Sequence, residues 1–88
     1  MQPDNQIVVV TGAGGGIGRA LAAKFCQAGA KAVVAVDINS AAAQETATLL
    51  GEKCTAMTAD VTREEEVAGV IERTEAEYGP IDLFCSNA

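Results

Sequence analysis

Eighty-eight residues suffice for one small domain, since domains usually run to about 100–200 residues. The chain is 49% hydrophobic and 20% charged, a balance that excludes a disordered or low-complexity segment. Six basic residues against twelve acidic ones give a net charge of −6, and no basic cluster is present, which argues against nucleic-acid and anionic-membrane partners. No apolar stretch approaches the roughly 20 residues of a membrane span. Residues 1–5 (MQPDN) lack the basic start of a secretory leader, so a cytoplasmic location is expected. Cys26, Cys54 and Cys85 are odd in number and form no CxxC pair, and there is no histidine. That argues against a disulfide framework or a zinc site, and the three are expected to be small buried hydrophobes in a reducing compartment.

Residues 7–10 (IVVV) are a short β-branched run suited to a strand buried on both faces of a parallel sheet. A glycine-dense turn, Thr11-Gly12-Ala13-Gly14-Gly15-Gly16, follows. From residue 17 to 28, Ile17, Leu21, Phe25 and Ala28 recur at helical spacing and predict one buried face. Gly29 stands where a left-handed cap would close that helix. Residues 32–36 (AVVAV) predict a second buried strand ending at Asp37. Asn39 or Ser40 can cap a helix over 41–50, closed by Gly51. Residues 54–59 make a third strand, weaker because its side chains are small and partly polar. Thr62-Arg63-Glu64-Glu65 has the spacing of a capping box. In the helix it opens, Val67, Val70, Ile71, Thr74 and Tyr78 share a face, and the glutamates at 64–66 suit the positive end of the dipole. Gly79-Pro80 stops it, and residues 81–85 (IDLFC) predict a fourth strand. Three consecutive βαβ units imply an α/β fold with a parallel sheet and right-handed crossovers.

A strand, a glycine-rich turn and a helix start make an anion site, because free backbone N–H groups and the helix dipole converge there. Glycine also lets the backbone approach a ligand closely. An acidic domain could thereby hold an anionic dinucleotide without a lysine in the loop. The Walker spacing GxxxxGK[ST] is absent, and a GxGxxG read from Gly12 fails at Ile17. What stands is Thr11-Gly12-x-x-x-Gly16-Ile17-Gly18, and it resembles the cofactor loop of the short-chain dehydrogenases and reductases. Asp37 falls nineteen residues after Gly18, near the acid about 20 residues on that takes the ribose of a dinucleotide. Asp60-Val61 ends the third strand, where the family carries a similar pair beside adenine. Asn87-Ala88 ends the fourth, where the family carries Asn-Asn-Ala-Gly; Ser86 replaces the first Asn. Taken singly, Asp37 reads as a capping acid, Asp60 as a turn residue and Asn87 as a loop residue. In order, each at a strand end, they carry the resemblance from residue 7 to 88.

The resemblance implies a Rossmann-type doubly wound parallel sheet with strand order 3-2-1-4, incomplete at its C-terminus, within a single dinucleotide-binding domain of which residues 1–88 are the N-terminal part. It implies an oxidoreductase that passes a hydride between nicotinamide and an alcohol or carbonyl substrate, homo-oligomeric when full length. The implied cofactor contacts are Gly12, Gly14, Gly15, Gly16, Ile17, Gly18, Asp37, Ile38, Asp60, Val61, Asn87 and Ala88. An acid at 37, with Gly15, Ile38 and Asn39 where NADP-preferring relatives place a basic residue, predicts NAD over NADP. The family's catalytic Ser and Tyr-x-x-x-Lys are not found here: the single tyrosine, Tyr78, has Asp82 four residues on and is expected to pack in the core. Arg19, near the helix start, could reach a phosphate, but a solvated surface side chain is the reading preferred. A non-catalytic dinucleotide-binding module or truncated paralogue is the alternative reading. A methyltransferase is a third, disfavoured because Thr11 stands where such enzymes usually carry an acid before the glycines.

Overall fold

The structure is a computed structural model and describes residues 5–87. Strands β1 (Ile7–Thr11), β2 (Ala32–Asp37), β3 (Cys54–Thr58) and β4 (Leu83–Cys85) alternate with helices α1 (Gly16–Gln27), α2 (Ser40–Leu50) and α3 (Glu64–Tyr78). All strand pairs are parallel, and the sheet runs β3-β2-β1-β4. This is the order implied by the resemblance, and it puts β1 and β2 in the middle, where their β-branched runs are buried on both faces.

Alternate residues of those strands feed two cores. Val8, Val10, Val33 and Ala35 pack with Ala22, Leu21 and Phe25 of α1 and with Ala47 and Leu50 of α2. Val9, Val34, Val36 and Met57 face the other way, against Val70 and Tyr78 of α3. One face therefore carries two helices and the other carries α3, so the sheet is wound on both sides. Each fully buried valine contributes about 1.5–3 kcal/mol relative to an exposed one.

Helix ends follow the local chemistry in most places. Asn39 caps α2, its side-chain oxygen accepting from the Ala42 N–H at 3.0 Å. Gly29, just beyond α1, has φ 98°. Four expectations fail. The capping box at the start of α3 does not form: Arg63 is the N-cap residue and makes no side-chain cap bond. The Thr62 hydroxyl donates instead to Asp60. The buried face of α1 holds Leu21 and Phe25 as expected, together with Gly18 and Ala22, but Ile17 and Ala28 are exposed, and Gly18 lies so close to the Gly12 carbonyl that no side chain fits there. β4 is three residues long instead of five, because the Asp82 carboxylate accepts from the Ile7 N–H at 2.7 Å and Leu83 and Phe84 remain exposed beside the edge. Of the cysteines only Cys54 is fully buried; Cys26 and Cys85 are half-buried, and all three are free.

Candidate functional site

The C-terminal ends of the strands meet at one side of the sheet. Thr11 ends β1, and its hydroxyl oxygen accepts from the Asn87 N–H at 2.9 Å while lying 3.4 Å from the Cys85 and Asn87 carbonyls. This ties the segment after β4 to the start of the glycine turn. Gly12 follows with φ 63°, and a Cβ there would collide with the Asn87 carbonyl oxygen. A Cβ on Gly18 would collide in turn with the Gly12 carbonyl oxygen. The first turn of α1 thus rests directly on the loop. Gly15, its N-cap residue, is extended and gives no side-chain cap. The backbone N–H groups of Gly16, Ile17 and Gly18 lack intrahelical acceptors and carry the positive end of the dipole. Gly15, Gly16 and Ile17 are exposed there.

Asp37 closes β2 beside this turn. Its Oδ2 accepts from the Gly14 N–H at 2.8 Å, and its Oδ1 accepts from the Asn39 N–H at 2.9 Å. A Cβ on Gly14 would stand 2.7 Å from both Asp37 Oδ2 and the Ala42 methyl, so only glycine lets the acid sit on the loop. A carboxylate has about four lone-pair positions, and those left over can accept from ligand hydroxyls. Asp60 follows β3. Its Oδ1 accepts from the Thr62 hydroxyl at 2.6 Å and the Thr62 N–H at 3.0 Å, and its own N–H donates to Glu66 at 2.7 Å. The Thr62 hydroxyl, then the Thr62 N–H, hold the Asp60 carboxyl below the usual carboxylate range.

Between these groups runs a groove of about 390 Å³. Of the residues expected from the sequence, Gly12, Asp37, Ile38, Asp60, Val61 and Asn87 line it. Gly14, Gly15, Gly16, Ile17 and Gly18 form the adjoining turn and helix start, and Ala88 lies outside the described residues. Ala59 and Thr62 line the groove as well and were missed. Thr62 was legible only as a helix cap, while Ala59 gives no signal of its own. The groove can take an anion at the glycine turn, hydrogen-bond donors at Asp37 and Asp60, and a flat apolar ring beside Ile38 and Val61. Among the described residues, no basic side chain lines it. A second groove of about 470 Å³ lies at the opposite strand ends, between Leu21, Phe25 and Leu83. It is larger and is lined also by Gln6, Lys24 and Asp82, whose carboxylate accepts from the Ile7 N–H.

Arg19 departs from expectation. Its guanidinium donates to the Thr46 hydroxyl oxygen and the Gly14 carbonyl, each at 2.8 Å, and pairs with Glu45 at 2.8 Å. Tyr78 packs against the second core as expected, and its hydroxyl shares a 2.6 Å hydrogen bond with Thr55 near the start of β3, away from the groove.

A parallel α/β sheet with a glycine turn, an acid after the second strand and a groove at the strand ends defines the dinucleotide-binding class. Within it, the family model of the short chain dehydrogenases matches residues 6–88, and the chain belongs to that family, whose members bind a nicotinamide cofactor. It is 42% identical over 84 residues to (+)-cis,trans-nepetalactol synthase NEPS1 of Nepeta racemosa, covering 96% of this chain and 31% of that protein. Hydroxysteroid dehydrogenase from Escherichia coli superposes with a TM-score of 0.91 at 34% identity, over 99% of this chain and 38% of that one. The 3-ketoacyl-(acyl-carrier-protein) reductase from Brucella melitensis, complexed with NADH, superposes with a TM-score of 0.87 at 33% identity, over 92% and 33% respectively. The chain spans about a third of the length of the curated relatives it matches.

Proposed function

We propose that this chain supplies the cofactor cradle of an NAD-dependent oxidoreductase that passes a hydride between nicotinamide and the carbon of an alcohol or carbonyl substrate. The groove fits the adenosine side of the cofactor: Gly16, Ile17 and Gly18 would face the pyrophosphate, Asp37 the ribose hydroxyls, and Val61 and Asp60 the adenine. Bound there, the cofactor supplies the hydride; these residues supply its position.

The observation that carries the choice of NAD is the Asp37 carboxylate, fixed between the Gly14 and Asn39 N–H groups. Hydrogen bonds to a charged acceptor contribute about 1.5–3 kcal/mol each. A 2′-phosphate would instead meet that carboxylate; like charges ~4 Å apart cost about 4 kcal/mol at an effective dielectric of 20. Among the described residues no basic side chain lines the groove to offset this, and the Arg19 guanidinium beside the glycine turn is held by Gly14, Thr46 and Glu45.

Proton transfer is assigned to a Ser and Tyr-x-x-x-Lys set outside these 88 residues, as the family resemblance implies. A second reading, a dinucleotide-binding module without catalysis, is favoured by one observation: the only tyrosine has its hydroxyl committed to Thr55. The test is turnover by the whole protein with NAD or NADP and a panel of secondary alcohols and ketones. Reduction of NAD by at least one alcohol, with NADP much slower, is expected. Tight NADH binding with no turnover on any substrate would favour the module.

A further inference from the structure

We propose that Arg19 and Thr46 act as a positioning pair that holds the Gly14–Gly15 peptide in the orientation an anion requires. The proposal rests on the cofactor reading above. Residues 14–16 are three consecutive glycines with no side chain to restrain their peptides. A trans peptide is planar, so its carbonyl and the following N–H point in opposite directions. The Arg19 bond to the Gly14 carbonyl therefore turns the Gly15 N–H away from Arg19. The Thr46 hydroxyl donates to the Ala13 carbonyl at 2.6 Å, and the next N–H, on Gly14, donates in turn to Asp37. Thr46 is fully buried, and its oxygen accepts from Arg19 Nε, so one hydroxyl links the guanidinium to the loop. The Glu45 partner is 65% exposed and adds little. Without the clamp, a flipped Gly14–Gly15 peptide would present a carbonyl oxygen where a donor stood, and an anion at the turn would be repelled. Arg19 thus serves the anion without touching it.

The test uses the whole protein, with NADH bound by fluorescence titration and displaced by ADP-ribose or by adenosine, which lacks the pyrophosphate. Arg19→Lys and Thr46→Val should weaken NADH and ADP-ribose roughly tenfold, as expected for disturbed charge-assisted hydrogen bonds. Adenosine should shift by less than about twofold on the same scale, and Thr46→Ser, which keeps the hydroxyl, should behave as the parent protein. Equal weakening of adenosine and ADP-ribose, or no weakening of either, overturns the clamp. Absence of NADH binding by the parent protein counts against the cofactor reading instead. The clamp is then decided by relaxation dispersion at the Gly15 amide: exchange appearing only in Arg19→Lys and Thr46→Val supports it, and a Gly15 amide as rigid in the variants as in the parent overturns it.

Discussion

The Gly14 N–H and the Asp37 carboxylate meet at 2.8 Å, joining the glycine turn after β1 to the end of β2. One acid therefore serves both as a brace for the loop and as the acceptor offered to a ribose. Replacing it has two consequences. Asp37→Ala should weaken NADH by about tenfold or more and remove the repulsion against a 2′-phosphate, lowering the NADH-over-NADPH preference by about 10²-fold. Binding titrations of both nucleotides to the variant check this; an unchanged ratio would show that Asp37 does not face the ribose.

Gly18, buried against the Gly12 carbonyl, and Gly15, exposed, belong to one motif but tolerate a side chain differently. Gly18→Ala forces the first turn of α1 off the loop and should cost about 1–3 kcal/mol of stability, as overpacking does. Gly15 is extended, and a Cβ there meets nothing within 4 Å. Gly15→Ala should stay within about 0.5 kcal/mol of the parent. Chemical denaturation of the two variants separates them.

Asp60 gives a pH signature. Its carboxyl is held below its ordinary value of 3.8, first by the Thr62 hydroxyl and then by the Thr62 N–H. A depressed folded value means the turn is stabilised above the unfolded titration point and loses that contribution as pH falls through the folded one. NMR titration should place Asp60 below the usual carboxylate range in the parent and nearer to it in Thr62→Ala. Coincident titrations would show that the hydroxyl is not its principal partner.

Cys54 acts at the alkaline end. Burial pushes its thiol from 9.0 up to about 11. Below pH 9 both folded and unfolded thiols keep their proton. Between pH 9 and about 11 the unfolded chain ionises first, so stability should fall as pH rises. Cys54→Ala should flatten that fall in denaturation curves, and Cys54 should react with iodoacetamide more slowly than Cys85, which is only half-buried.

Strand identity and the acid positions were legible in the sequence because both are local. β-branched runs mark β1 and β2, and the family landmarks place Asp37, Asp60 and Asn87 at strand ends. Competition between partners was not legible. Thr62 fits a capping box by spacing, but Asp60 stands two residues before it and takes the hydroxyl. Periodicity finds Leu21 and Phe25 on the core face of α1 but weighs large side chains, so it includes Ile17, which is 77% exposed, and passes over Gly18, which the close approach of the Gly12 carbonyl requires. The position of Arg19 near the helix start was legible, but not its partner: Thr46 lies 27 positions away and reaches it only when α2 packs beside α1.

The most direct test of the account is the dissociation constants of NADH and NADPH measured side by side, in one buffer, on the whole protein. With Asp37 fixed against the glycine turn and no basic side chain lining the groove among the described residues, NADH should bind tighter by about 10²-fold, a conservative share of the repulsion expected between like charges ~4 Å apart. Equal or tighter binding of NADPH would contradict it.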